Sequence, residues 1–179
     1  EVSVTKQNIA SENVNHVNYI VQARDRYEVI KRVSDMNPDI YGIVFCRTRR
    51  ETKEVANKLI NDNYNADTLH GDLSQSQRDD VMNRFRKRQI QILVATDVAA
   101  RGLDVNDLTH IINFNLPDDY ETYIHRSGRT GRAGKVGTSI VIIHGRETRK
   151  LKEIQKKHGI RFKKELVPNG QEICKKRLY

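Results

Sequence analysis

Short apolar runs alternate along the chain with stretches whose apolar residues recur every three or four positions. Residues 18–22 (NYIVQ) read as a strand, and 27–36 place Val29, Ile30 and Val33 on one helix face. The run YGIVFC at 41–46 is apolar throughout, as in a parallel strand covered on both faces. A helix is predicted over 49–60 with Val55, Ala56, Leu59 and Ile60 inward, then a short strand over 65–69. The stretch 74–88 reads as a helix capped by Ser74, with Val81, Met82 and Phe85 on its buried side. Strands follow at 91–96 and 110–114, then a short helix at 120–126 and a strand at 138–143. The last element is an amphipathic helix over 147–158 with Leu151 and Ile154 inward.

Strand and helix alternate with a repeat of about 25 residues, which implies right-handed crossovers. The expected fold class is therefore α/β, a parallel sheet sandwiched by helices. Ligands in such sheets bind beyond the carboxyl ends of the strands. The loops after the predicted strands hold CRTRR, HGDLSQSQR, TDVAARGLD and NLPDD, so these should carry function.

Composition narrows the class. The 179 residues suit one domain with a real core. Hydrophobic content is 37%, charged content 31% and mean hydropathy -0.71, and no apolar run nears the ~20 residues of a membrane span. The sequence does not begin with Met and shows no secretory signal pattern, so it reads as a piece of something longer. Cys46 and Cys174 stand far apart without metal-ligand spacing, which points to a reducing, cytoplasmic setting and no zinc. Net charge is +9, and it is unevenly placed. From Arg146 onward lie 12 of the 32 Lys and Arg but only four of the 23 Asp and Glu, so the body is nearly balanced and the end is basic. A basic stripe fits nucleic acid or another anionic surface, and equally a solvated helix face. Residues 1–14 read as a polar N-terminal arm. Residues 161–179 read as a basic tail that opens a C-terminal extension, with a break at 167–170 and QEICKKRLY as the first turns of a helix.

The segment HRSGRTGRAG (125–134) spaces Arg126, Arg129 and Arg132 three apart, with Gly128, Gly131 and Gly134 between or beside them. Guanidinium is a planar fork suited to carboxylate or phosphate. Glycines cost a helix ~1 kcal/mol each relative to Ala, so the segment is expected to need a special backbone shape. In TDVAARGLDV (96–105), Asp97 is read as the cap of a short helix over 98–101, Gly102 permits a turn, and Asp104 is either a structural carboxylate or an acceptor for ribose hydroxyls. Thr96 and the amides beside it suit a backbone phosphate. Gln75 and Arg78 lie on one face of a first helical turn, either as phosphodiester contacts or as a plain exposed helix start. Thr48 fits an N-cap, a phosphate ligand or both, and Glu51 completes the S/T-x-x-E capping box. No GxxxxGK[ST] and no acidic pair after an apolar strand occur, so these cations have no primary nucleotide site in this sequence. A site shared with another domain resolves this.

Together these motifs, in this order, resemble the C-terminal RecA-like domain of DEAD-box ATP-dependent RNA helicases, in the style of the bacterial cold-shock DeaD-like group. The likeness covers about residues 15–160: GIVFCRT looks like motif IV, SQSQR like the Q-x-x-R element, ATDVAARGLD like motif V and HRSGRTGRAG like motif VI. The resemblance implies a RecA-like fold and a role as the second domain of an enzyme coupling ATP hydrolysis to RNA unwinding, inactive as a fragment. By the same resemblance Arg129 and Arg132 act as arginine fingers on the γ-phosphate, and Asp104 and Gly102 lie at the nucleotide. Thr48, Arg78, Thr96 and Gln75 contact RNA, and His125, Arg126 and Arg101 couple to the N-terminal RecA-like domain. That first domain would supply the Mg²⁺ ligands. Two positions depart from the pattern: Asn115 where many relatives have Asp, and Arg47 before Thr48. Two alternatives stay open. One is a stand-alone RNA-binding module on the same fold, and the other is a DNA helicase of a related superfamily.

Overall fold

The computed structural model describes residues 13–167. Seven strands form one sheet: β1 (Val14–Ile20), β2 (Gly42–Phe45), β3 (Ala66–Leu69), β4 (Ile92–Ala95), β5 (His110–Asn113), β6 (Gly137–Ile143) and β7 (Lys163–Glu165). Their order is β3-β4-β2-β5-β6-β1-β7 and every pairing is parallel, so all carboxyl ends share one edge. The helices are α1 (Arg26–Met36), α2 (Arg49–Asn61), α3 (Gln75–Arg86), α4 (Tyr120–Ser127) and α5 (Thr148–His158).

Alternate strand residues divide between the two faces. On one face Val44, Ile92, Val94, Ile112, Ile140 and Ile142 meet Val29, Ile30 and Val33 of α1 and Val55, Ala56 and Leu59 of α2. On the other, Ile43, Phe45, Leu93, Ala95 and Ile111 meet Val81, Met82 and Phe85 of α3 and the loop residues Ala99, Ala100 and Leu103. Val141 and Ile143 join Leu116, Tyr123 and Leu151 in a third cluster that seats α4 and α5. This is the expected parallel sheet with helices on both faces. Ser74 caps α3 through a complete capping box: its hydroxyl accepts from the Gln77 N–H at 3.1 Å, and the Gln77 side chain accepts from the Ser74 N–H at 2.9 Å.

Three expectations shift. Ile60 was expected inward but is 48% exposed, because it falls to one side of the stripe of Thr52, Val55, Ala56 and Leu59. β1 begins at Val14, inside the expected arm, since VNHV lacks an apolar run yet pairs with β6 from Gly137 onward. Past the expected domain end at 160, Lys163–Glu165 adds β7 to the outer side of β1. A charged edge strand has no buried face on its outer side and so no hydrophobic pattern to announce it. The arm at 1–12 and the tail from 168, with its expected break and helix start, lie outside the described residues.

The start of β1 is tied down by His16, 8% exposed. Its Nδ1 lies 2.6 Å from the Tyr123 hydroxyl, and the Phe162 ring stands edge-on at 5.6 Å. Among the described residues Nε2 has no hydrogen-bond partner, and burial pulls the imidazole down to about 4 from 6.5. The folded protein therefore holds the ring neutral while the unfolded chain takes up a proton below pH 6.5. Stability should fall as pH drops from about 6.5 to 4 and then level off, by as much as ~3 kcal/mol from this group. Urea midpoints at pH 7 and pH 4.5 check this. His16→Leu should remove part of the acid sensitivity, and an unchanged pH dependence would discard the assignment.

Candidate functional site

The loop after β4 sets the centre of the site. Thr96, 9% exposed, accepts from the Ala99 N–H at 3.3 Å through its hydroxyl and from the Ala100 N–H at 3.0 Å through its carbonyl. Residues 97–102 form successive turns rather than the expected short helix, and the cap is Thr96, not Asp97. Ala99 and Ala100 are pinned into the core, so the turn cannot wind on. Gly102 follows with φ +82°, a left-handed conformation suited to glycine.

The Asp97 carboxylate is instead gripped side-on by Arg126, Nε to Oδ1 at 2.7 Å and Nη2 to Oδ2 at 2.5 Å. Arg126 sits in the last turn of α4, on the side facing the sheet, and is 7% exposed. Its Nη1 donates to Asn113 Oδ1 at 3.0 Å, and the Asn113 amide is oriented by donating to the Ile140 carbonyl at 2.8 Å. The guanidinium also lies 4.9 Å from the centre of the Phe45 ring. A buried cation thus has a bidentate anion, a polar end-cap and an aromatic face, the conditions that offset its desolvation.

Beyond α4 the chain turns back through the arginine–glycine segment. Gly131 and Gly134 take φ +70° and +76°, which fulfils the expectation of a special backbone. At Gly131 the constraint is double, since a Cβ would stand 2.6 Å from the Asn13 carbonyl oxygen. Thr130 is buried, and its hydroxyl donates to the Leu108 carbonyl, tying this segment to the end of the preceding loop. Arg129 Nη1 donates to the Leu103 carbonyl, and Arg132 Nε donates to the Gly128 carbonyl at 2.7 Å. Among the described residues neither guanidinium contacts a carboxylate. Burial lowers the proton affinity of Arg129 and the nearby Asp104 partly restores it, but a guanidinium stays charged regardless.

Three adjoining depressions run along the carboxyl edge of the sheet. The central one, about 430 Å³, is lined by Arg101, Gly102, His125, Arg126 and Arg129, with Asp97 the one carboxylate. Next to it Gln75 and Arg78 meet Arg101 and Gly102 in a second depression of about 160 Å³. There Arg78 donates to the Ala99 carbonyl at 3.0 Å and Gln75 to Asp79 at 2.9 Å. On the other flank Arg47, Asn115, Asp118 and Asp119 meet Asp97 and Arg126 around about 180 Å³. Seven of the eleven expected site residues, Gln75, Arg78, Arg101, Gly102, His125, Arg126 and Arg129, come together, whereas Asp104 lines none of the three depressions. Asp104 pairs with Arg86 at 3.2 Å with its carboxylate open to solvent. Thr48, Thr96 and Arg132 also lie outside the three linings.

Thr48 does cap α2, accepting from the Glu51 N–H at 3.1 Å. The expected capping box is incomplete, because Glu51 turns to the Arg47 N–H at 3.2 Å and to the Asn115 amide. Asn115 in turn accepts from Arg26 at 2.6 Å. The residue that departs from the pattern is therefore a neutral bridge between α1 and α2, and an amide supplies the donor that a carboxylate lacks. Asn113 and Phe45 were missed as site residues. Both stand at strand ends where a buried polar or aromatic residue reads as ordinary core. Among the described residues no group of three or more His, Cys, Asp or Glu side chains is placed to hold a metal ion.

Residues 13–134 match the helicase conserved C-terminal domain family. The DEAD-box ATP-dependent RNA helicase CshA of Bacillus cereus is 40% identical over 155 residues, 87% of this chain and 30% of that protein. A crystal structure of a DEAD box protein from Methanococcus jannaschii superposes with a TM-score of 0.79 at 46% identity, over 87% of this chain and 42% of that one. S. cerevisiae Dbp5 bound to RNA and ADP BeF3 superposes with a TM-score of 0.80 at 27% identity, over 93% of this chain and 44% of that one. The chain thus spans about a third of the length of the curated relatives it matches. Sequence, backbone and the cationic rim of a parallel sheet agree, and the chain belongs to the helicase C-terminal domain family in its DEAD-box, RecA-like branch.

Proposed function

We propose that this chain is the second domain of an ATP-dependent RNA helicase, closing on a nucleotide held by an N-terminal RecA-like domain. Arg129 and Arg132 approach the γ-phosphate, and Asp104 and Gly102 lie at the nucleotide once Asp104 leaves Arg86. Thr48, Gln75, Arg78 and Thr96 contact the RNA backbone, and His125, Arg101 and Arg126 couple the two domains. Arg126 does so while still bound to Asp97, with its position fixed by that pair. The residues present fit a polyphosphate: Arg101, Arg126 and Arg129 line one open cavity, and Arg129 there donates to a main-chain carbonyl. Mg²⁺ would be held by the first domain. The ion would supply charge that offsets the polyphosphate, and this domain would add the finger charge. A cytoplasmic setting belongs to the same proposal.

The observation that carries the reading is Arg129, partly desolvated at the cavity wall with no carboxylate contact among the described residues. A cation so placed stabilises charge that develops on a transferring phosphoryl group. Phosphate release is the test. The isolated chain should release none from ATP, and the longer protein containing it should do so with strong stimulation by RNA. Equal stimulation by single-stranded DNA would favour a DNA helicase instead. Turnover by the isolated chain would remove the need for a shared site.

A further inference from the structure

Helix α5 has two unlike sides. Leu151, 2% exposed, and Ile154 turn inward against Leu116, Tyr123, Val141 and Ile143. The outer side carries Arg149, Lys150, Lys152, Lys156 and Lys157, all exposed, and one carboxylate, Glu153, which lies 3.9 Å from Arg149. Arg161, Lys163 and Lys164 continue the exposed cations into β7, where Lys163 pairs with Glu165 at 3.0 Å. Among the described residues Lys150, Lys152, Lys156, Lys157, Arg161 and Lys164 have no carboxylate within ion-pair distance. The carboxyl end of α5 reaches the functional rim: His158 stacks flat on Tyr120 at 3.6 Å, and Tyr120 directly follows Asp119 of the flanking depression.

We infer that the outer face of α5, continued by Arg161 and Lys164, is a second RNA-binding surface that grips the phosphate backbone beyond the segment held at the rim. Concentrating unpaired cations on one face costs self-repulsion, and a polyanion relieves it while releasing counterions. Lys150 to Lys157 span ~10 Å along the helix axis, which matches about three phosphates of one strand. An anionic membrane fits less well, because surface helices hold lipid through an apolar side, and that side of α5 is buried in the core. The outer face also lacks the large apolar side chains that form the centre of a protein–protein interface. This surface goes beyond the proposed function and does not depend on the arginine fingers.

The test is fluorescence anisotropy of a labelled single-stranded RNA oligonucleotide with this chain across a salt series. The variant Lys152→Glu/Lys156→Glu/Lys157→Glu should bind about tenfold more weakly at low salt, and its log–log salt slope should shrink by about 2, at ~0.7 per phosphate contact. Lys58→Glu/Lys87→Glu, two exposed cations away from the rim and α5, should change affinity far less and serves as the charge control. If the triple reversal impairs folding by circular dichroism, Lys→Gln at the same three positions should still lower the slope by the same amount. Wild-type affinity and slope in a folded variant would overturn the inference. So would loss of binding to phosphatidylserine vesicles with RNA binding unchanged, which would assign the face to membranes. Arg78→Ala in parallel separates the two readings. If it leaves RNA affinity intact while the α5 variant loses it, the rim contacts fail and this surface stands.

Discussion

Arg129→Ala in the longer protein is expected to cut RNA-stimulated ATP turnover by about 10³-fold or more, the range found for arginine fingers in phosphoryl transfer. The structural ground is specific. Among the described residues the Arg129 guanidinium donates one hydrogen bond, to the Leu103 carbonyl, and partial burial leaves its charge under-solvated. An anion arriving in the cavity would replace lost water, and it would gain most when negative charge peaks in the transition state. Lysine should not rescue the variant, because a single ammonium cannot reproduce the planar fork. RNA affinity without nucleotide should hold, since Gln75 and Arg78 lie in a neighbouring depression. Folding should hold as well, because no carboxylate loses its partner. Turnover within a few-fold of wild type would remove Arg129 from the reaction.

Asp97→Ala should destabilise the isolated chain by about 3–5 kcal/mol, the cost of leaving a buried charge without its partner. The side chain of Arg126 is 8% exposed while that of Asp97 is 48% exposed, so the two halves of the pair are unequal. Removing the acid strands a guanidinium between Phe45 and Asn113. Removing the base leaves a carboxylate that water can reach. Arg126→Met, which fills similar space without charge, should therefore cost less than Asp97→Ala. Urea denaturation of the two variants measures the order directly. If Arg126→Met proves the more damaging, the pair is not what holds α4 against the loop after β4. The same variants should uncouple stability from turnover: Arg126→Met is expected to fold and yet to lose RNA-stimulated ATPase, because the proposed coupling acts through this side chain.

The layer architecture was legible because period-two and period-3.6 patterns are written in near neighbours. Val44 and Ile43 point to opposite faces of β2 wherever the strand sits. The glycines at 131 and 134 likewise announced a backbone that a helix does not have, and both take positive φ. Where the pattern was weak, the reading slipped. The start of β1 carries His16 and Asn15, and β7 carries two lysines and a glutamate, so neither looked like sheet. What makes them strands is a neighbour more than 100 residues away in one case and an open sheet edge in the other.

At the site the division is sharper. Local composition alone marked the arginine–glycine segment, the turn after β4 and the start of α3 as anion-directed, because guanidinium, glycine and a helix N-terminus have that chemistry in any fold. It could not say which arginine is already committed. Arg126 and Arg129 are three residues apart with the same side chain, yet one is locked to Asp97, 29 positions back, and the other faces the cavity on a carbonyl. That choice follows from how α4 packs on the sheet, which brings Asp97, Asn113 and Phe45 from three separate strand ends around a single guanidinium. Charges are written in the sequence; their partners are set by distances that only the folded crossovers create.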